Sequence, residues 1–137
     1  MNQLENETIC EKLLNDLAGV MAWKWDDGVE TLLAEFNTDK EFKIRTIIEK
    51  YLPILWDVSN IHNAPQGIQE VYKHLGKLRP TQLLFSSDPI SEDFVFCAWW
   101  PWDNGQKVSL RIAPFNKRLA KAEKDKLMAR LAVLAGL

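Results

Sequence analysis

The chain of 137 residues has little of what most enzyme chemistry uses: two His, two Cys and three Met. Cys10 and Cys97 lie far apart, with no CxxC pair and no His at zinc-ligand spacing. That excludes the common zinc modules and a disulfide scaffold, and leaves two free thiols suited to a reducing compartment. No apolar run reaches the roughly 18 residues that span a bilayer. The opening MNQLENETICEKLL is acidic and polar where a secretory leader is basic and then apolar. The expected location is therefore cytoplasmic, without a membrane partner. The G-x-S-x-G, Walker A, G-x-G-x-x-G, H-E-x-x-H and EF-hand patterns are all missing. No catalytic residue, cofactor or metal is assigned. An enzyme reading rests on His62 with Asp57 or a turn carboxylate, and His74, four residues after Glu70, reads as half of a surface Glu–His pair.

What the chain does have is tryptophan, six of them, in an otherwise average composition of 47% hydrophobic and 26% charged residues. The length suits one domain, 1–137. A formal charge of −2 conceals an asymmetry: residues 1–70 carry 6 Lys+Arg against 13 Asp+Glu, and residues 71–137 carry 11 against 6. Either the two halves attract one another within the fold, or a basic face awaits an anionic partner.

The periodicity predicts an α+β fold: a helix-rich N-terminal half with four or so helices in all, then three strands and a C-terminal helix. Leu4, Ile9, Leu13, Leu14 and Leu17 give a first helix, capped near Asn2 and stopped at Gly19. Thr38 with Glu41 forms a capping box for a second, facing inward through Phe42, Ile44, Ile47, Ile48, Tyr51 and Leu52 and ending at Pro53. A third helix begins near Pro65 and buries Ile68, Val71, Tyr72 and Leu75; the last runs from about 116 to 135. The sheet is expected to be small and antiparallel, with three to four strands at about 20–25, 81–87, 93–100 and 106–113. Residues 29–36 fit helix or strand, helix slightly better, and residues 54–65 read as a helical turn and loop.

Asn104-Gly105 marks a tight primed turn between the last two strands. Counting outward from it pairs Trp102 with Lys107, Trp100 with Ser109, Ala98 with Arg111 and Phe96 with Ala113. One face then collects Val95, Cys97, Trp99, Val108, Leu110 and Ile112, which is apolar throughout and belongs to the core. The other collects Phe94, Phe96, Trp100 and Trp102 beside Lys107 and Arg111. Pro101 cannot donate to a ladder, so that end of its strand is expected to be edge-like or bulged.

The mixed face has two explanations. Its aromatics can lie under another element, with the Lys107 and Arg111 stems covering Trp102 and Trp100. Alternatively, Trp100, Trp102, Arg111, Phe94, Phe96 and Lys107 form a contact surface of the residue types enriched at interface hot spots. The functional expectation is accordingly a non-enzymatic binding protein that engages another protein, or a second copy of itself as a homodimer, through this hairpin face. A second reading is a small-molecule pocket for an apolar or aromatic ligand, lined by Trp23, Trp25, Trp56 and Trp99. Nucleic acid is disfavoured as a partner. The cationic C-terminal helix (Lys117, Arg118, Lys121, Lys124, Lys126, Arg130) belongs to a chain of pI near 5.7 without a nucleic-acid-binding signature.

Overall fold

The computed structural model describes the backbone of residues 3–137 and the side chains of residues 5–137. In chain order the elements are α1 (Gln3–Leu17), β1 (Trp23–Asp26), β2 (Thr31–Asn37), α2 (Glu41–Tyr51), β3 (Ile54–Trp56), α3 (Gln66–His74), β4 (Leu83–Ser86), β5 (Asp93–Pro101), β6 (Lys107–Asn116) and α4 (Lys121–Leu134). Short 3-10 turns occupy Thr38–Lys40 and Ile61–Asn63. The expected cap at Asn2 and the side chain of Leu4 lie outside the described residues.

The class is α+β, but the expected sheet of three to four strands is corrected to six, all antiparallel, in the order β1-β2-β6-β5-β4-β3. β2 is the strand that the spacing of Leu32, Leu33 and Phe36 disguised as helix. It lies inside the sheet between β1 and β6 and carries apolar side chains on both faces, which blurs the strand alternation. β3 is an edge of three residues, too short to show a period, and follows directly on the proline that ends α2.

Helices cover both faces of the sheet. On one face α1 lies over β5 and β6, between α2 and α4. The side chains beneath are Leu32, Ala34 and Phe36 of β2, Val108, Leu110 and Ile112 of β6, and Val95, Cys97 and Trp99 of β5, all buried. Asn6 donates to the buried Asp93 on this face, tying α1 to the start of β5. Burial holds the Asp93 carboxyl above its ordinary range, against the opposing effect of the Asn6 hydrogen bond. Trp99 anchors the layer, edge-on to Phe36 at 5.3 Å and to Phe85 at 6.1 Å between ring centroids.

On the other face α3 crosses the sheet so closely that a side chain at Gly67 would strike it. A Cβ there would stand 2.8 Å from Phe94 Cε1 and 3.2 Å from Phe115 Cε1. Ile68 and Val71 of this helix and Leu75 just after it are buried as expected, whereas Tyr72 is only partly buried. Pro101 and Pro114 sit at points where one flanking strand has ended: β4 pairs no further than Leu83 with Trp99, and β2 no further than Leu32 with Ile112. The ladder therefore tolerates both missing N–H groups without a bulge.

The opposite charges of the two halves meet inside the fold. Arg111 pairs with Asp26, Lys117 with Glu70, Lys124 with Glu30 and Arg130 with Glu7. Much of the cationic C-terminal helix is thus neutralised by carboxylates of the first half, which weakens the case for a polyanionic partner.

Candidate functional site

The β5–β6 hairpin has the register counted from Asn104-Gly105: Trp100 faces Ser109, Ala98 faces Arg111 and Phe96 faces Ala113, and the Trp102 N–H donates to the Lys107 carbonyl at 2.8 Å. The turn itself is not the expected primed pair, because Gly105 alone has positive φ (71°). Asn104 keeps negative φ and accepts from the Gln106 N–H at 2.9 Å, while the Gly105 N–H reaches back to the Trp102 carbonyl at 3.0 Å. The result is a longer loop of unchanged register.

Thr38 is part of this tip and does not cap α2. Its N–H donates to the Gln106 carbonyl at 3.0 Å and its hydroxyl to the Gly105 carbonyl at 3.2 Å. β2 ends against the start of β6, and that brings Thr38 to the hairpin loop before α2 begins.

The aromatic face is split by α3. Phe94 and Phe96 are buried, with Phe94 stacked on Phe115 at 4.9 Å below Gly67, so neither is available to a protein docking on the outer face of the hairpin. Nearer the tip the face is more open. Arg111 lays its guanidinium 4.2 Å from the Trp100 ring centroid, and its Nε donates to Asp26 Oδ2 at 3.1 Å. Its side chain is only 17% exposed, and Nη1 is buried without a hydrogen-bond partner, as is Trp100 Nε1. Trp102 is 38% exposed; its Nε1 donates to Ser109 Oγ at 2.9 Å and Lys107 Nζ stands 5.3 Å from the ring centroid. Beside Trp102 a shallow depression of about 530 Å³ is bounded by Arg79, Pro101, Asp103 and Asn104. Two cations lie on two tryptophans, as sequence allowed, but Arg79 and Asp26 come from distant segments that no local pattern connects to the hairpin.

The four tryptophans of the pocket reading are not brought together. Trp99 is core; Trp23 and Trp25 lie on the same sheet face on the edge strand β1; Trp56 lies on the opposite face, donating to Ser86 Oγ at 3.0 Å. Trp25 opens on a cavity of about 290 Å³ against Met128, Ala129 and Ala132 of α4.

No family model, curated protein or solved structure matches the chain. Among the described residues no group of three or more His, Cys, Asp or Glu could hold a metal ion, and no helix is long and apolar enough to cross a membrane.

His62 is exposed on its 3-10 turn. Asp57, its suggested partner, is occupied by Ser59, whose N–H donates at 2.8 Å. The Ser59 hydroxyl, and then its N–H, hold that carboxyl below its ordinary range, which makes it a weak base. His74 does not pair with Glu70 but lies with Nε2 2.9 Å from the Val29 carbonyl oxygen.

Both thiols are buried; desolvation, then the nearby Glu7, pushes Cys10 up to about 12, and burial pushes Cys97 up as well. Neither thiol should react with Ellman's reagent in the folded protein at neutral pH, and both should react in guanidinium. A prompt reaction of either under native conditions would contradict this packing.

Proposed function

We propose that the protein is a non-enzymatic binding protein that engages an acidic segment of another protein through the hairpin tip, with Trp102, Lys107 and Arg79 in contact and Trp100 and Arg111 supporting them. The observation that carries this reading is Trp102, a large apolar ring 38% exposed beside a depression, with a cation over it. Aromatic and Arg side chains supply most of the binding energy at interfaces, and cations around them select an anionic partner. A homodimer through the same tip is the weaker choice, because it brings together two tips on each of which Arg79 and Lys107 outnumber Asp103. Phe94 and Phe96 are left out of the contact set, being buried.

The test uses a fluorescein-labelled peptide in which Asp and Glu alternate with Leu, its lysine analogue, and fluorescence anisotropy. The acidic peptide should bind and weaken as salt is raised, and the lysine analogue should not bind. Trp102→Ser should weaken binding by about 2 kcal/mol, roughly thirtyfold, without loss of fold, and Lys107→Glu should abolish the preference for acid. Equal binding of both peptides, or wild-type affinity in Trp102→Ser, would overturn the reading.

A further inference from the structure

A second concavity lies at the other end of β6 from the hairpin tip, and its rim is closed by three polar contacts between segments distant in sequence. His74 of α3 meets the Val29 carbonyl in the β1–β2 turn at 2.9 Å. Glu30 of the same turn meets Lys124 of α4 at 3.3 Å, and Lys117, just after β6, meets Glu70 of α3 at 3.7 Å. Inside this ring is a cavity of about 330 Å³, with an apolar surface formed by Phe96, Ala113 and Phe115. That volume is at the small end for ligand pockets, and an apolar lining with a few convergent polar groups is their usual composition.

We infer that this cavity binds a small zwitterion with an apolar body, of the class of an aromatic amino acid. The rim presents two cations and two carboxylates, already matched as two pairs whose members are between about a third and a half exposed. Exposed pairs of this kind hold together weakly, so a ligand can exchange into them. A ligand carrying only a carboxylate satisfies Lys117 or Lys124 but repels Glu70 and Glu30; one carrying only an ammonium does the reverse. A ligand with both charges can meet both members of a pair while its ring rests against Phe96 and Phe115. The site is independent of the hairpin tip and does not need a protein partner.

Calorimetric titration with L-phenylalanine, 2-phenylethylamine and 3-phenylpropionate tests it. Phenylalanine should bind in the millimolar range or tighter, and roughly tenfold or more tighter than either singly charged analogue, as expected for loss of one charge-assisted contact. Lys117→Glu/Lys124→Glu should remove this binding while leaving the circular dichroism and the binding of the acidic peptide at the tip unchanged. Three outcomes would each overturn the inference: no heat from any of the three compounds, an analogue that binds as well as phenylalanine, or undiminished binding in the double variant.

Discussion

Trp99→Ala should lower the unfolding free energy by about 3–5 kcal/mol, the range for truncating a buried Trp or Phe. Its ring is almost fully buried on the helix-covered face and is edge-on to both Phe36 and Phe85, so truncation removes two aromatic contacts and leaves a cavity between those rings. Domain stabilities are typically about 5–15 kcal/mol, so this one change would consume a large fraction of the total. Trp102→Ser, by contrast, should cost about 1 kcal/mol or less, because its ring is already partly in water and its main tie is to Ser109. Urea denaturation of the two variants gives the comparison, and similar losses would mean that the tip is as integral to the core as Trp99.

Gly67→Ala should destabilise by about 1–3 kcal/mol, the usual cost of overpacking, and Gly67→Val by the top of that range. Replacing glycine in a helix ordinarily helps, by about 0.5–1 kcal/mol, so the expected sign is set by geometry: Phe94 Cε1 is 2.8 Å from where the methyl must go. Phe94 is held against Phe115 and fully buried, so it has little room to yield. The displaced α3 should expose Phe94 and Phe96, which an apolar dye such as ANS would register. A variant more stable than the parent in urea would show that α3 stands farther from the sheet.

The strength and the limit of sequence reading meet in the same hairpin. Its register was legible because strict alternation on β5 and β6 places Cys97, Trp99, Leu110 and Ile112 on one face, and a slip of one residue would bury Arg111 among them. What covers the second face was not legible, because it depends on α3, whose only local sign is a glycine near the start of an otherwise ordinary amphipathic pattern. Hence Phe94 and Phe96, indistinguishable from Trp100 and Trp102 by alternation, turn out to be buried under α3. Thr38 departs from its sequence pattern for a related reason. Its spacing to Glu41 satisfies a capping box, but the end of β2 holds it against Gly105 and Gln106 before the helix starts. The ringed cavity has no signature in the sequence, because Val29, Glu70, Phe96, Ala113 and Lys124 come from separate segments with nothing shared between them.

Nitrogen–proton correlation spectra of the protein titrated with the acidic Leu-containing peptide test the binding surface most directly, since the six indole N–H groups are spread over β1, β3, β5 and the hairpin tip. The expected result is that the Trp100 and Trp102 signals shift with the peptide while those of Trp23, Trp25, Trp56 and Trp99 stay in place. Shifts confined to Trp25 or Trp56, or no shift at any indole, would contradict it.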